Sequence, residues 1–213
     1  MFTGIIQAQG NIKEIRASNK GAVFVLNSNS LDLSDVSIGD SIAVNGVCLT
    51  VTQLDKNYFS SDVSQETLNC TTFSQLKKGQ NINLEKSLRL NQGVDGHIVS
   101  GHVDGVGKIT LIAIEGDSTR MKIKVDDNLV KYIAKKGSIC INGVSLTVNE
   151  IDGNFFDVNI VPHTFSVTTL DELKVNSQVN IEIDIIARHI EQLLNDKTGA
   201  RIDKALLIKN GYL

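Results

Sequence analysis

Proline is almost missing from this chain. One residue in 213, Pro162, carries the fixed ring, against seventeen glycines, so turns must be made mainly by Gly, Asn and Asp. Cysteine is scarce as well: Cys48, Cys70 and Cys140 are an odd number at unrelated spacings, with no Cys-x-x-Cys pair. Such usage provides neither a disulfide framework nor a zinc site. No apolar run approaches the roughly 20 residues that a bilayer-spanning helix needs; IDIIA, at 183–187, is typical of the longest. No charged-then-apolar leader opens the chain, so the expected location is the cytoplasm, with no membrane partner. Neither sign of charge dominates, because 24 acidic side chains face 21 basic ones for a formal net of −3. Without a basic stripe there is no electrostatic footprint for nucleic acid. Also missing are a Gly-rich phosphate loop in strand-and-helix context, a His-Glu-x-x-His helix and a Gly-x-Ser-x-Gly elbow. These absences argue against phosphoryl transfer, zinc proteolysis and α/β-hydrolase chemistry.

What is present is an ordinary globular composition, 41% hydrophobic and 21% charged, in a chain long enough for one large domain or two small ones. A repeat chooses between them. Residues 41–52 read SIAVNGVCLTVT and residues 138–149 read SICINGVSLTVN, identical at eight of twelve positions. The same shift of 97 lays Phe2–Gly10 on Val99–Gly107, Ser64–Leu68 on Val161–Phe165 and Asn83–Glu85 on Asn180–Glu182, without a gap. A period of that size is a whole small domain, since solenoid repeats run at about 20 to 50 residues. The expected division is residues 1–97 for the first copy with its linker, 98–186 for the second, and 187–213 for a C-terminal helical segment. The polar, turn-rich stretch LRLNQGVDG at 88–96 forms the break.

Within each copy, short Val, Ile and Leu runs alternate with polar residues and stop at Gly, Asn or Asp, which is a β pattern. Asn45-Gly46 and Asn142-Gly143 are strong hairpin turns, because both residues tolerate positive φ. Folding there pairs 44 with 47, 43 with 48, 42 with 49 and 41 with 50. Strand alternation then gives Ile42, Val44, Val47, Leu49 and Val51 one face, and Ser41, Ala43, Cys48 and Thr50 the other. The second copy divides likewise, with Ser138, Cys140, Ser145 and Thr147 on the small, polar face. Small hydroxyls and a thiol suit a surface that a flat ligand approaches closely; they also suit a tightly packed sheet contact. From Ala187 onward the period becomes helical: Ile190, Leu193 and Leu194, then Ile202, Ala205 and Leu206, interrupted at Lys197-Thr198-Gly199. That apolar stripe must dock on the barrels or on another subunit.

The register exposes where the copies differ: Cys48 opposite Ser145, Ile5 opposite His102, Glu66 opposite His163, and Gly39 opposite Lys136. Thr50 and Thr147 are unchanged, as are Thr67 and Thr164. A lone strand cysteine is usually a small buried hydrophobe, yet a Ser in the sister copy keeps a nucleophilic atom at the same place. His102, in SGHVDG, is a candidate base, since an imidazole at a pocket suits proton abstraction at neutral pH. Asp184, closing NIEID, reads as a strand-end or helix-capping acid. Gly4 and Gly101 permit close backbone approach or are simple turn glycines.

Together, MFTGII, NGVCLTVT, SGHVDG, NGVSLTVN, IVPHT and NIEID resemble the riboflavin synthase alpha-chain family across essentially the whole length. The resemblance implies two tandem six-stranded Greek-key β-barrels, a C-terminal α-helix and a homotrimer assembled through it. It further implies a cofactor-free, metal-free dismutation of two 6,7-dimethyl-8-ribityllumazine molecules to riboflavin and 5-amino-6-(ribitylamino)uracil. Each working site is expected between the N-terminal barrel of one subunit and the C-terminal barrel of another. By motif, the N-terminal pocket takes Gly4, Ile5, Ile6, Ser41, Cys48, Leu49, Thr50 and a strand of Asp62, Val63, Ser64, Gln65, Glu66 and Thr67. Its sister takes Gly101, His102, Val103, Lys136, Ser145, Leu146, Thr147 and a strand of Asn159, Ile160, Val161, Pro162, His163 and Thr164. Catalytic roles fall on Cys48 or a held water as nucleophile, His102 as base, and Ser41, Ser145, Thr147 and Asp184 in orientation and polarisation. Where many members of the family have Asp, this chain has Asn142, which cannot act as a carboxylate base. Two other readings compete: a non-catalytic lumazine- or flavin-binding antenna protein, which tends to lose the Cys and His, and a flavin reductase, which would need a nucleotide-binding domain that has no room here. The sequence does not decide whether a lumazine synthase shell encloses the trimer.

Overall fold

The computed structural model describes residues 1–18, 20–195 and 208. Twelve strands close into two barrels. The first holds β1 (Ala8–Ser18), β2 (Gly21–Asn27), β3 (Ser41–Val44), β4 (Val47–Leu54), β5 (Tyr58–Ser64) and β6 (Asn81–Lys86) in the order β1-β2-β5-β4-β3-β6. The second holds β7 (Gly105–Glu115), β8 (Ser118–Lys124), β9 (Ser138–Ile141), β10 (Val144–Asp152), β11 (Phe155–Ile160) and β12 (Gln178–Ile183) in the equivalent cyclic order. Short helices α1 (Gln65–Cys70), α2 (Asp127–Val130) and α3 (Pro162–Val167) cross the ends, and α4 (Ile185–Asn195) leaves the second barrel.

The hairpin register is as the Asn-Gly turns require: Val44 faces Val47, Ala43 faces Cys48 and Ser41 faces Thr50, and Asn45 and Asn142 both have left-handed φ, 45° and 47°. Ile42, Val44, Val47, Leu49 and Val51 enter the first core with Phe24, Phe59 and Phe73, while Ile139, Ile141, Val144, Leu146 and Val148 enter the second. Each such side chain contributes about 1.5–3 kcal/mol when fully buried, which is why the alternation fixes the register. Bulges recur at the same shift of 97: Ile12/Glu14 matches Ile109/Leu111, and Val51/Gln53 matches Val148/Glu150.

The barrels meet about a local twofold axis. Phe2 and Val99, equivalent residues of the two copies, bridge each other through N–H···O bonds of 2.7 and 3.1 Å. Nearby, four asparagines clamp the barrels. The Asn83 amide donates to the Asn142 carbonyl oxygen at 2.9 Å and accepts from the Thr169 N–H at 2.8 Å. The Asn180 amide mirrors this, donating to the Asn45 carbonyl at 2.8 Å and accepting from the Thr72 N–H at 2.8 Å. Asn142 is thus a turn and clamp residue; its side-chain oxygen accepts the Asn180 N–H at 2.8 Å.

The C-terminal helix starts at Ile185, two positions before the sequence boundary, because Asp184 caps it: Oδ1 accepts the Ile186 N–H at 2.9 Å. Arg188 forms an ion pair with Asp104, and Lys131 with Glu191, tying α4 to the second barrel. Ile186, Ile190, Leu193 and Leu194 remain uncovered, the last two at 76% and 79% exposure. Ile202, Ala205, Leu206 and the Lys197-Thr198-Gly199 interruption lie outside the described residues. No helix among the described residues is long and apolar enough to cross a membrane.

Candidate functional site

Each barrel is incompletely laced at one seam. β4 begins at Val47 and β5 ends at Ser64, yet their ladder runs only from Val51 opposite Ser61 to Leu54 opposite Phe59. β10 and β11 likewise pair from Val148 opposite Val158, although β10 begins at Val144 and β11 runs to Ile160. The bulge at this point twists the strands apart. One lip of the first slot is Cys48–Thr50 and the other is Asp62–Ser64. Val51 gives its N–H to the Asp40 carbonyl at 2.8 Å and accepts the Gly39 N–H at 2.9 Å, on the β3 side. Alternation therefore turns the main-chain groups of Cys48 and Thr50 toward the slot. Main-chain groups turned toward a narrow opening suit the edge of a planar heterocycle, although the Cys48 N–H itself is taken up by a loop of the other copy.

The loops that finish these slots are exchanged between copies. Cys48 donates its N–H to the Gly101 carbonyl at 2.9 Å, and Ser145 donates its N–H to the Gly4 carbonyl at 2.8 Å. Val103 packs on the first core and Ile6 on the second. The sequence grouping is corrected accordingly: Gly101, His102 and Val103 border Cys48, whereas Gly4, Ile5 and Ile6 border Ser145. Glycine is required at both crossings, where φ is +76° at Gly4 and +80° at Gly101, and an added Cβ would lie 2.6 Å from the Ser145 or Cys48 Cβ.

Two buried carboxylates hold the loops. Glu85 accepts from Thr3 N–H (2.7 Å), Thr3 Oγ1 (2.8 Å) and Gly4 N–H (3.0 Å). Glu182 accepts from Ser100 N–H (2.6 Å), Ser100 Oγ (2.7 Å) and Gly101 N–H (3.0 Å). Burial pushes the Glu85 carboxyl above the usual carboxylate range, against the lowering effect of those donors. Sequence reasoning used Glu85 and Glu182 only as register anchors, although an acid in an otherwise core-forming strand signals a buried partner. It missed His97 altogether. His97 is buried, its Nδ1 lies 2.6 Å from Ser145 Oγ, and burial lowers its pKa. It directly follows the break, and at the shift of 97 it has no counterpart in the first copy, so the repeat could not reveal it.

The remaining candidates divide. Thr50 and Thr147 are exposed on the slot face, and Cys48 and Ser145 are half-buried. Ala43 and Cys140 on that face are buried under Phe2 and Val99, so the packing reading holds for them; Cys140 is an inert thiol whose pKa burial raises strongly. Ser41 is half-buried opposite Thr50 and accepts the Ser87 N–H on its carbonyl at 3.1 Å. Leu49, Leu146, Val63 and Ile160 point into the cores. The two expected substrate strands are shorter than read. Ser64 Oγ accepts the Thr67 N–H at 3.1 Å and starts α1, so Gln65, Glu66 and Thr67 are helical. Pro162 starts α3, which holds His163 and Thr164, with Val161 at its N-cap and Asn159 exposed on β11. The His102 ring is exposed and faces a cavity of about 180 Å³ with Asp104, Arg188 and His189, away from the first core that Val103 enters. Lys136 takes φ +66°, donates its N–H to the Val148 carbonyl at 2.7 Å, and its Nζ meets Asn149 Oδ1 at 3.4 Å. A separate polar cleft of about 620 Å³ between the barrels, lined by Thr72, Gln75, Asn81, Glu172 and Gln178 among others, contains none of these candidates.

The two halves match one known domain in the register the repeat had set: residues 3–87 and 100–184 each fit the lumazine binding domain. The chain belongs to the lumazine binding domain family. Among relatives in that family, it is 46% identical to riboflavin synthase of Photobacterium phosphoreum, over 100% of both chains. It is 47% identical to riboflavin synthase of Actinobacillus pleuropneumoniae, covering 92% of this chain and 91% of that one. The enzyme of Bacillus subtilis (strain 168) is 40% identical over 100% of both. Among solved structures, LumP complexed with 6,7-dimethyl-8-(1'-D-ribityl) lumazine superposes with a TM-score of 0.77 at 30% identity, over 86% of this chain and 99% of that one. LumP complexed with riboflavin gives a TM-score of 0.78 at the same identity and coverage.

Proposed function

We propose that this chain is a riboflavin synthase, a transferase that moves a four-carbon unit between two molecules of 6,7-dimethyl-8-ribityllumazine and releases riboflavin and 5-amino-6-(ribitylamino)uracil. One observation carries the reading: a single chain presents two slots, equivalent at a shift of 97, one bearing a thiol at Cys48 and the other a hydroxyl at Ser145. A reaction between two copies of one substrate needs such a pair of sites, and a ligand carrier does not need them to differ. Held face to face, the substrates gain an effective molarity of about 10⁵ M or more, which supplies rate without a cofactor.

Cys48, or a water held beside it, adds to the electrophilic ring carbon of the lumazine in the first slot. The partner lumazine loses a proton from its acidic 7-methyl group to a base, for which His102 is the candidate, and its carbanion attacks. Thr50 and Thr147 line the slots, and Ser145, Ser41 and Asp184 orient and polarise. The outward His102 ring and the uncovered α4 face support an arrangement in which slots of different subunits meet, in a trimer joined through α4 in the cytoplasm. Incubation of the protein with the lumazine alone tests the reading: riboflavin should appear at half the amount of substrate lost. Tight lumazine binding with no riboflavin formed would instead leave a binding protein.

A further inference from the structure

The two slots carry opposite electrostatic character, built from three substitutions at equivalent positions. Gly39 of the first copy is Lys136 in the second, Glu66 is His163, and Asp62 is Asn159. The first slot therefore has the carboxylates of Asp62 and Glu66 near its lips; the second has an amide and an imidazole in their place, and gains an ammonium where the first has Gly39. Lys136 is placed for this purpose at some conformational expense. Its φ of +66° lies where Gly39 has +96°, a region that disfavours a side chain by about 1–2 kcal/mol. Its Nζ reaches Asn149, which follows Ser145 and Thr147 at two-residue spacing on β10. The ammonium thus sits just past the closed end of the second slot, beside the bulge at Val148/Glu150. The neighbouring carboxylate Glu150 is bound by Lys135 at 2.7 Å, and Lys136 meets a neutral amide. In the first slot the equivalent row is Cys48, Thr50 and Thr52, and Gly39 puts no side chain where Lys136 has its ammonium.

Resting on the riboflavin synthase reading, we propose that the second barrel, at Ser145, Thr147 and Lys136, holds the lumazine that becomes the 7-methyl carbanion, and that the first barrel holds the electrophilic partner attacked at Cys48. In the step assigned to the second barrel, a C–H bond of the 7-methyl group breaks and the proton passes to the candidate base His102 of another subunit, whose first slot faces this one in the proposed trimer. The electron pair spreads into the ring and its carbonyl oxygens. Lys136 stays protonated and stabilises that charge, and no oxidant or reductant takes part. An opposite charge within about 4–6 Å favours an anion by about one to three pKa units. The acidic surroundings of the first slot disfavour a second anion there, so the two identical substrates are driven into different roles.

The test is exchange of the 7-methyl protons for deuterium, followed by proton NMR on lumazine bound to the full-length protein at pH 7. Lys136→Gly should slow exchange at least tenfold, and it retains a backbone that the first copy already adopts with Gly39. Lys136→Arg should keep exchange within about threefold of the unchanged protein, because the charge is preserved. Gly39→Lys added to Lys136→Gly should not restore the rate. Exchange within twofold of normal in Lys136→Gly, or recovery in the double variant, would overturn the assignment. Exchange requires only a bound lumazine, so these outcomes remain readable even if the protein makes no riboflavin, and failure of the functional reading is seen separately in the product assay.

Discussion

The Cys48 N–H donates to the carbonyl oxygen of Gly101 at 2.9 Å, so the one thiol on a slot lip is held against a loop that the other copy supplies. The counterpart bond from Ser145 to Gly4 makes the exchange reciprocal. Neither slot is finished by its own repeat, and separating the barrels should dismantle both.

Cys48→Ser preserves size and hydrogen bonding but replaces a strong nucleophile by a weak one. Riboflavin formation should fall at least about 100-fold while lumazine affinity stays within about threefold. Steady-state turnover beside a fluorescence titration reads both, and normal turnover would hand the nucleophilic role to water.

Gly101→Ala places a methyl group 2.6 Å from the Cys48 Cβ at a φ of +80°. Strain and overlap should lower stability by about 2–4 kcal/mol, and Gly4→Ala should do the same at Ser145. Urea midpoints measure this; Gly79→Ala, whose added Cβ meets nothing within 4 Å, isolates the cost of positive φ alone.

Asn83→Ala removes an amide that bridges the barrels and leaves the Thr169 N–H and the Asn142 carbonyl without that partner. A loss of about 2–4 kcal/mol is expected, as for Asn180→Ala. The double variant should melt in two calorimetric steps, one for each barrel, where the unchanged protein melts in one.

Glu85 has its pKa raised by burial. The folded state then holds its proton to higher pH than the unfolded chain, so this group's contribution to stability is greatest below the ordinary carboxylate range and declines as pH rises through the window above it. Glu85→Gln should remove that decline while losing about 1–3 kcal/mol at low pH, because a donating amide replaces one acceptor of the Thr3 and Gly4 donors. Chemical denaturation between pH 4 and 8, pH values chosen to span about that window, compares the slopes.

Leu193→Glu with Leu194→Glu charges the uncovered face of α4. If the proposed trimer forms through α4, sedimentation should shift from trimer to monomer, and activity should fall with it. A monomer with full activity would place both substrates within one chain.

Much of this molecule was determined by its sequence. The Asn-Gly turns and two-residue alternation set the hairpin register and the core faces, because burying the wrong face would expose every Val, Ile and Leu on it. The constant shift of 97 carried that result to the second barrel and made Cys48 and Ser145, Gly39 and Lys136 comparable. Helix boundaries were less legible: Ser64 and Pro162 end their strands through capping and fixed φ, effects that outweigh the β pattern of the following residues. Only the tertiary structure decided which loop serves which slot. Two copies with nearly the same strands and nearly the same loops are compatible with either pairing. The choice rests on contacts between residues far apart in the chain, among them the Glu85 and Glu182 anchors, the asparagine clamp and the Phe2–Val99 bridge, and no local spacing encodes them.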